Sequence, residues 1–363
     1  MCQRMLIGSA GRASFKARYS KVWLIRSRKQ PLLRCLNKVK KFMESIYWVL
    51  SRDCNQRCPH CYNNSEPGAP GLEIKDVATC VANLPDPGSV PVGRIILSGG
   101  EVLVWPELLF HTLHELRQRF NNATSVWIQT NGDLLDESML ARLLDAGVRR
   151  IDIASMDKYH WKSTAQRRGY LEKLFDTFRL LPADRKSNEM HGESGGRQVE
   201  FAFWGATEDE WIGPLWPRGR AHQKSLSKAT PNDRFCSNWS GAKGFLDYME
   251  VGSEVNIQLA DVYPCCPMTC RPIGNLARES LIDMLDRCRT HPVYRALNDG
   301  RPEAMGEYLG ISEAHGFERS RALGNHCLWC DEFFTKHAPD LLEAGGITER
   351  GSVDLVQIGL SHR

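Results

Sequence analysis

Cys54-Asn-Gln-Arg-Cys58-Pro-His-Cys61 follows the apolar run Ile46-Tyr-Trp-Val-Leu50, which reads as a buried strand feeding a polar loop. Three thiolates at C-x3-C-x2-C spacing on one loop can hold three corners of a cubane iron-sulfur cluster and leave the fourth iron without a protein ligand. A saturated cluster only passes electrons, whereas a metal with an open position can bind and activate a second molecule. Two other readings compete with this one. Structural zinc takes four ligands, usually as pairs, and His60 between Cys58 and Cys61 is badly placed as the fourth. A disulfide framework belongs to small secreted chains, and this one has 363 residues, 13 cysteines and no stretch that reads as a secretory leader.

Outward from this loop the chain alternates strand and helix patterns. A second strand, residues 94–97, runs into Ser98-Gly99-Gly100-Glu101 about forty residues after the cysteines. A helix is expected over 106–120, with Leu108, Leu109, Leu113 and Leu116 on one face, then a strand at 125–129 ending in Thr130-Asn131-Gly132. A helix over 137–146 stops at Gly147, a C-cap signal. A strand at 150–154 leads to Ser155-Met-Asp157-Lys-Tyr-His160, followed by a helix over 170–181 and a strand at 199–204. Such alternation is the pattern of a parallel sheet wrapped by helices. The polar segments 183–197, 221–234 and 300–321 read as loops.

The cysteine trio and the Gly-Gly-Glu after the second strand resemble the signatures of the radical S-adenosylmethionine (SAM) superfamily. The resemblance implies an α/β fold, a partial (β/α)6 radical SAM barrel with its ligands at the carboxyl ends of the strands. It implies that Cys54, Cys58 and Cys61 bind a 4Fe-4S cluster whose open iron is chelated by the amino and carboxylate groups of SAM. Gly99, Gly100 and Glu101 would then meet the methionine ammonium: glycines let a backbone approach closely, and a carboxylate satisfies a cationic amine. Asn131 matches the family's strand-three ending. Ser155 and Asp157 match its polar strand-four ending near the SAM ribose, and His160 is placed to contact adenosyl or substrate. Gly205 with Glu208 partly matches the strand-five motif. Pro217-Arg218-Gly219-Arg220-Ala221 resembles a Pro-x-Gly-Arg-Ala segment, which makes Arg218 or Arg220 a fork for the SAM carboxylate.

A second constellation lies downstream: Cys236, Cys265, Cys266 and Cys270, then Cys327-Leu-Trp-Cys330, with a hairpin-like stretch at 248–257. It resembles the auxiliary-cluster extension called SPASM, and more closely its shortened form, the twitch subdomain. By that resemblance Cys236, Cys265, Cys327 and Cys330 hold an auxiliary 4Fe-4S cluster, with Cys266 or Cys270 as alternatives to Cys265. A four-cysteine zinc site is the rival. A surplus thiol at the barrel mouth, Cys266 or Cys270, is a candidate catalytic hydrogen-atom donor. Cys2, Cys35, Cys80 and Cys288 read as small apolar side chains. The expected organisation is a basic extension over 1–42, native or a misassigned start, the barrel over 43–233, the auxiliary domain over 234–338 and a tail over 339–363.

Composition fits an enzyme, with 42% hydrophobic and 25% charged residues. The net charge of +4 hides an asymmetry: residues 1–43 hold twelve Lys or Arg and no acidic residue, while the rest has 35 basic and 43 acidic residues. No basic pattern interleaved with aromatics continues into the body, so nucleic acid is not an expected partner. No apolar run is long enough for a membrane span, and thiol-rich composition points to a reducing, cytoplasmic setting.

The implied chemistry begins with one electron from an external reductant such as flavodoxin or ferredoxin. SAM then breaks into methionine and a 5′-deoxyadenosyl radical that removes hydrogen from an unactivated C–H. If the auxiliary cluster takes the substrate radical's electron the product is oxidised; if a thiol returns hydrogen from the other face it is an epimer. Peptide-maturing relatives often carry an amino-terminal recognition domain longer than the segment before the first strand here. A small polar metabolite is therefore expected: a sugar, aminocyclitol, aminoglycoside or nucleoside, with the acidic body suiting a cationic one. The alternatives are maturation of a ribosomally made peptide and a non-catalytic iron-sulfur or zinc module.

Overall fold

The computed structural model describes residues 42–160, 164–183, 198–206, 213–238, 240–247, 253–339 and 341, all within the unit Lys40–Arg363. The basic arm before residue 42, Glu208, residues 248–252 and the tail after residue 341 lie outside the described residues.

The chain runs β1 (Met43–Val49), α1 (Ile74–Ala82), β2 (Val92–Ser98), α2 (Pro106–Phe120), β3 (Ser125–Thr130), α3 (Glu137–Asp145), β4 (Arg150–Ile153), α4 (Thr164–Thr177), β5 (Leu181–Pro182) and β6 (Glu200–Phe203). It continues through α5 (Gly219–Gln223), β7 (Glu254–Gln258), β8 (Asp261–Tyr263), β9 (Gly274–Asn275), α6 (Leu281–Arg289), α7 (Pro292–Asn298), α8 (Glu313–Leu323) and α9 (His326–Glu332). The nine strands form one sheet in the order β5-β6-β4-β3-β2-β1-β7-β8-β9. From β5 to β7 every pairing is parallel, and the β7–β8–β9 edge is antiparallel. The fold is thus the expected α/β architecture built on a parallel sheet.

β1 and β2 are buried along their whole length, because a central parallel strand is covered on both faces. Trp48, Ile46, Ile95 and Leu97 belong to one continuous core with Leu109 and Leu113 of α2 and Leu140 and Leu143 of α3. Local chemistry sets the helix ends. Pro106 opens α2 at its first turn, and Asp136 caps α3 by accepting from the Met139 amide at 2.7 Å. Gly147, at φ +91°, takes the left-handed turn after α3.

Two expectations shift. The helix expected over 170–181 is α4, which starts at Thr164 and ends at Thr177; Arg179 at φ +58° breaks it, and Leu181 joins β5. The hairpin that the structure describes is β7–β8, and β7 pairs in parallel with β1. Strands that follow residue 234 therefore extend the barrel's own sheet.

Candidate functional site

A cavity of about 460 Å³ opens at the carboxyl ends of β1 to β4. Cys54, Cys58 and Cys61 all reach its wall. Their loop is clasped from two sides. The Gly100 amide donates to the Ser51 carbonyl at 2.7 Å and the Glu101 amide to the Asp53 carbonyl at 2.9 Å. A Cβ on Gly100 would lie 2.4 Å from the Asp53 oxygen, so no side chain fits there. From the other side, Arg220 donates its Nε to the Cys58 carbonyl at 2.9 Å, and its amide donates to the Cys61 carbonyl at 2.9 Å. Gly219, at φ +49°, packs so tightly on the loop that a Cβ would stand 2.3 Å from the Tyr62 oxygen.

Burial pushes the Cys54 and Cys58 thiols up to about 12, and the charge of their neighbours in the trio adds to the effect. Three cysteine sulfurs on one wall form a donor set that, as thiolates, needs a compensating cation, and a cluster supplies it. No three of the chain's described cysteine sulfurs lie within 4.8 Å of one another, the only such group of described side chains being His60, Asp157 and His160. One tetrahedral zinc would draw its thiolates to within ~4 Å. The donor set therefore fits a cluster better than a single ion.

The other residues singled out in the sequence divide. Gly99, Gly100, Asn131, Arg220 and His160 line the cavity. Glu101 does not: its buried carboxylate accepts from Thr130 Oγ1 and the Asn131 amide, both at 2.6 Å, and from the Leu103 amide at 3.0 Å. It ties the end of β2 to the end of β3, and glycine backbone meets the cavity in its place. Ser155 is fully buried, donating to the Asn131 carbonyl at 2.7 Å and accepting from Arg167 at 3.1 Å. Asp157 sits behind the wall, accepting from the Tyr159 amide at 2.8 Å and hydrogen-bonded to His160 Nδ1 at 2.9 Å, with His60 Nε2 at 3.8 Å. Burial pushes its pKa up, but the His160 hydrogen bond and both imidazoles outweigh that and hold it down to about 2. Asp157 thus orients two cavity-facing imidazoles. Arg218 is also off the wall and belongs to the second constellation.

In that constellation Cys236, Cys265, Cys327 and Cys330 feel one another's charge. Burial first, then these neighbours, pushes Cys265 up to about 12 and Cys236 well above the usual thiol range; burial, then Asp331 and these neighbours, does the same for Cys330, and burial pushes Cys327 to about 11. Cys327 and Cys330 lie one turn apart on α9, whose N-cap Asn325 accepts from the Cys327 amide at 2.9 Å. The adjacent cysteines part company. Cys265 faces the other three, while Cys266 reaches the cavity wall, where Asn256 Nδ2 donates to its sulfur at 2.9 Å. Cys270 is not on the described wall, so the structure does not support it as a thiol facing substrate. Cys80 and Cys288 are packed in the core.

Sequence reasoning missed the cavity-lining Tyr47, Asn63 and Gln129 and the β7 side chains behind them. Tyr47 donates to Ser98 Oγ at 2.8 Å and also contacts Gln129. Asn63 donates to Gln258 at 3.2 Å, Gln258 donates to Asn256 at 3.0 Å, and Asn256 reaches Cys266. Tyr47, Gln129, Asn256 and Gln258 alternate along β1, β3 and β7 with core residues, so only the strand register marks them, and Asn63 lies in the loop after the cysteine trio. No carboxylate lines the cavity among the described residues.

Residues 48–186 match the family model "Radical SAM superfamily". Over 111 residues, 30% of this chain and 28% of the relative, the sequence is 32% identical to the PqqA peptide cyclase of Granulibacter bethesdensis. Over 114 residues, 30% of each chain, it is 31% identical to the AdoMet-dependent heme synthase of Methanosarcina barkeri. The chain thus spans about three-tenths of each curated relative. Among solved structures, BtrN in complex with AdoMet and 2-DOIA aligns over 75% of this chain and 90% of its own, at 14% identity and a TM-score of 0.43. Radical SAM enzymes use a 4Fe-4S cluster and SAM, act on small molecules or peptides, and need a reductant. Among the described residues no helix is long and apolar enough to cross a membrane.

Proposed function

We propose, from the premise that this chain carries a radical SAM domain over residues 48–186, that it removes a C–H hydrogen from a small polar metabolite and epimerises that carbon. Cys54, Cys58 and Cys61 hold the SAM-binding cluster, and Cys236, Cys265, Cys327 and Cys330 the auxiliary one. When bound, the first cluster and SAM supply a carbon-centred radical strong enough to take hydrogen from an unactivated C–H. Flavodoxin or ferredoxin is the class of reductant that suits it.

One observation carries the reading: the cysteine trio and the buried Cys266 thiol reach the same cavity, among neutral hydrogen-bonding side chains. Tyr47, Asn63, Gln129, Asn238 and Ser240 offer the groups that hydroxyls need, and the absence of a carboxylate on the described wall favours a neutral sugar-like face over an ammonium. Cys266 returns a hydrogen atom from the face opposite the one attacked. One S–H bond breaks and one C–H bond forms, and the sulfur radical regains one electron and one proton from the reductant and solvent before the next turnover. Arg220 and Gly100 hold the cysteine loop rigid, and Asn131 and His160 shape the wall beside it.

The test is anaerobic incubation in D2O with reductant, SAM and a panel of sugars, aminocyclitols, aminoglycosides and nucleosides. The expected outcome is 5′-deoxyadenosine release with one solvent deuterium at an inverted carbon, and loss of that deuterium in Cys266→Ser. A ketone product with no deuterium would favour oxidation instead. Peptide maturation is the second reading, favoured by the resemblance to a peptide cyclase; modification of a precursor peptide, with the whole panel untouched, would establish it.

A further inference from the structure

Arg218 lies among the segments that carry the second cysteine set. Its Nη2 donates to the Cys327 carbonyl at 2.9 Å and the Met268 carbonyl at 3.2 Å, and its Nε to the Pro267 carbonyl at 2.8 Å. Its Nη1 pairs with Asp331 at 2.6 Å. The guanidinium side chain is only 11% exposed, whereas the Asp331 carboxylate is 37% exposed. One buried cation therefore touches the stretch after Cys265 and the α9 turn of Cys327, and its anionic partner stands next to Cys330 in the chain. Its charge counteracts the rise in the Cys265, Cys327 and Cys330 thiols, and Asp331 reinforces it.

We propose that Arg218 sets the reduction potential of the auxiliary centre, with Asp331 as the opposing charge; this rests on the auxiliary-cluster reading above. A cluster's potential follows its net charge, its hydrogen bonds and its exposure to solvent. A fixed cation beside the thiolates stabilises the reduced, more negative state and raises the potential, and a fixed anion lowers it. The carboxylate is partly exposed and burial pushes its pKa up, whereas the guanidinium is buried and stays charged, so the cation has the larger effect. Arg218 touches no substrate; it acts on the centre through its charge and through the carbonyls it holds.

The experiment is an anaerobic redox titration followed by electron paramagnetic resonance on the full chain and on Arg218→Gln, Arg218→Lys and Asp331→Asn, with iron and sulfide counted on each. At full iron content, Arg218→Gln is expected to lower the auxiliary potential enough to change the oxidised-to-reduced ratio at fixed poise by about tenfold, 59 mV for a one-electron couple. Arg218→Lys stays near the parent, and Asp331→Asn moves a smaller distance upward. A mere loosening of packing would not move the two halves of one ion pair in opposite directions. Unmoved potentials at full iron, or shifts of the same sign, would overturn the proposal. If Arg218→Gln loses auxiliary iron, Asp331→Asn decides, and an unchanged potential there overturns it. A parent chain with only about four irons after reconstitution would instead remove the auxiliary cluster itself.

Discussion

Cys54, Cys58 and Cys61 sit within eight consecutive residues and share a cavity wall, whereas Cys236, Cys265, Cys327 and Cys330 come from segments spread over 95 residues and stay off it. The first set leaves room for another molecule. The four thiols of the second set feel one another's charge, and the buried Arg218 guanidinium holds the Cys327 carbonyl at the start of α9. The difference separates two tasks of metal chemistry: an open position activates, and a saturated one relays electrons.

The largest expected effect breaks that comparison if it fails. Cys58→Ala and Cys330→Ala should each lower iron from about eight to about four per chain, one cubane apiece. Only Cys58→Ala should bring 5′-deoxyadenosine formation to background, because only it opens the cavity-facing site. Cys330→Ala should still cleave SAM but yield little product. Equal loss of SAM cleavage in both would mean that the two centres do not have separate tasks.

Next in size is the clasp on the first loop. Gly100→Ala places a methyl 2.4 Å from the Asp53 oxygen and 2.5 Å from the Arg52 oxygen, both backbone atoms that cannot swing away. It should cost ~3 kcal/mol by chemical denaturation and take iron from the first centre alone. Gly68→Ala, near the same loop at φ +79° with nothing within 4 Å, should cost ~1 kcal/mol and leave iron unchanged. If both variants lose the same stability, contact with the loop is not what requires glycine at position 100.

The two regions also differ in how far their residues can be read before the chain is folded. The first loop is local: strand, cysteines, second strand and glycines follow in order, and β1 to β4 lie within a residue or a few of their sequence-based bounds. The second set depends on contacts across the fold, so adjacent Cys265 and Cys266 were indistinguishable until the fold set Cys265 against the charges of the other three thiols and Cys266 beside Asn256. Motif residues proved least transparent. Glu101, Ser155 and Arg218 are polar and motif-matched, yet each spends its hydrogen bonds on protein partners. Burial decides between binding a ligand and bracing the wall that binds it, and a linear pattern does not carry burial. The parallel β1–β7 pairing was likewise invisible, because two short strands separated by some two hundred residues leave no local signal.

The smallest effect sharpens the comparison at the first site. Asp157, 2% exposed, is held to about 2 against an ordinary 3.8 by the His160 hydrogen bond and the nearby imidazoles, despite its burial. A depressed carboxylate stabilises the fold above its unfolded value and loses that contribution as pH falls through its folded value. The ionised form should therefore contribute stability that is present above about pH 4 and is lost as pH falls towards 2. Asp157→Asn keeps an acceptor for the Tyr159 amide and His160 but removes the charge. Urea midpoints of parent and variant should differ most near neutrality and converge as the solution is acidified. A gap that stayed constant from pH 6 to pH 3 would show that Asp157 holds the two imidazoles by shape alone, and His60 and His160 would then owe their placement to stacking with Tyr159 and with each other.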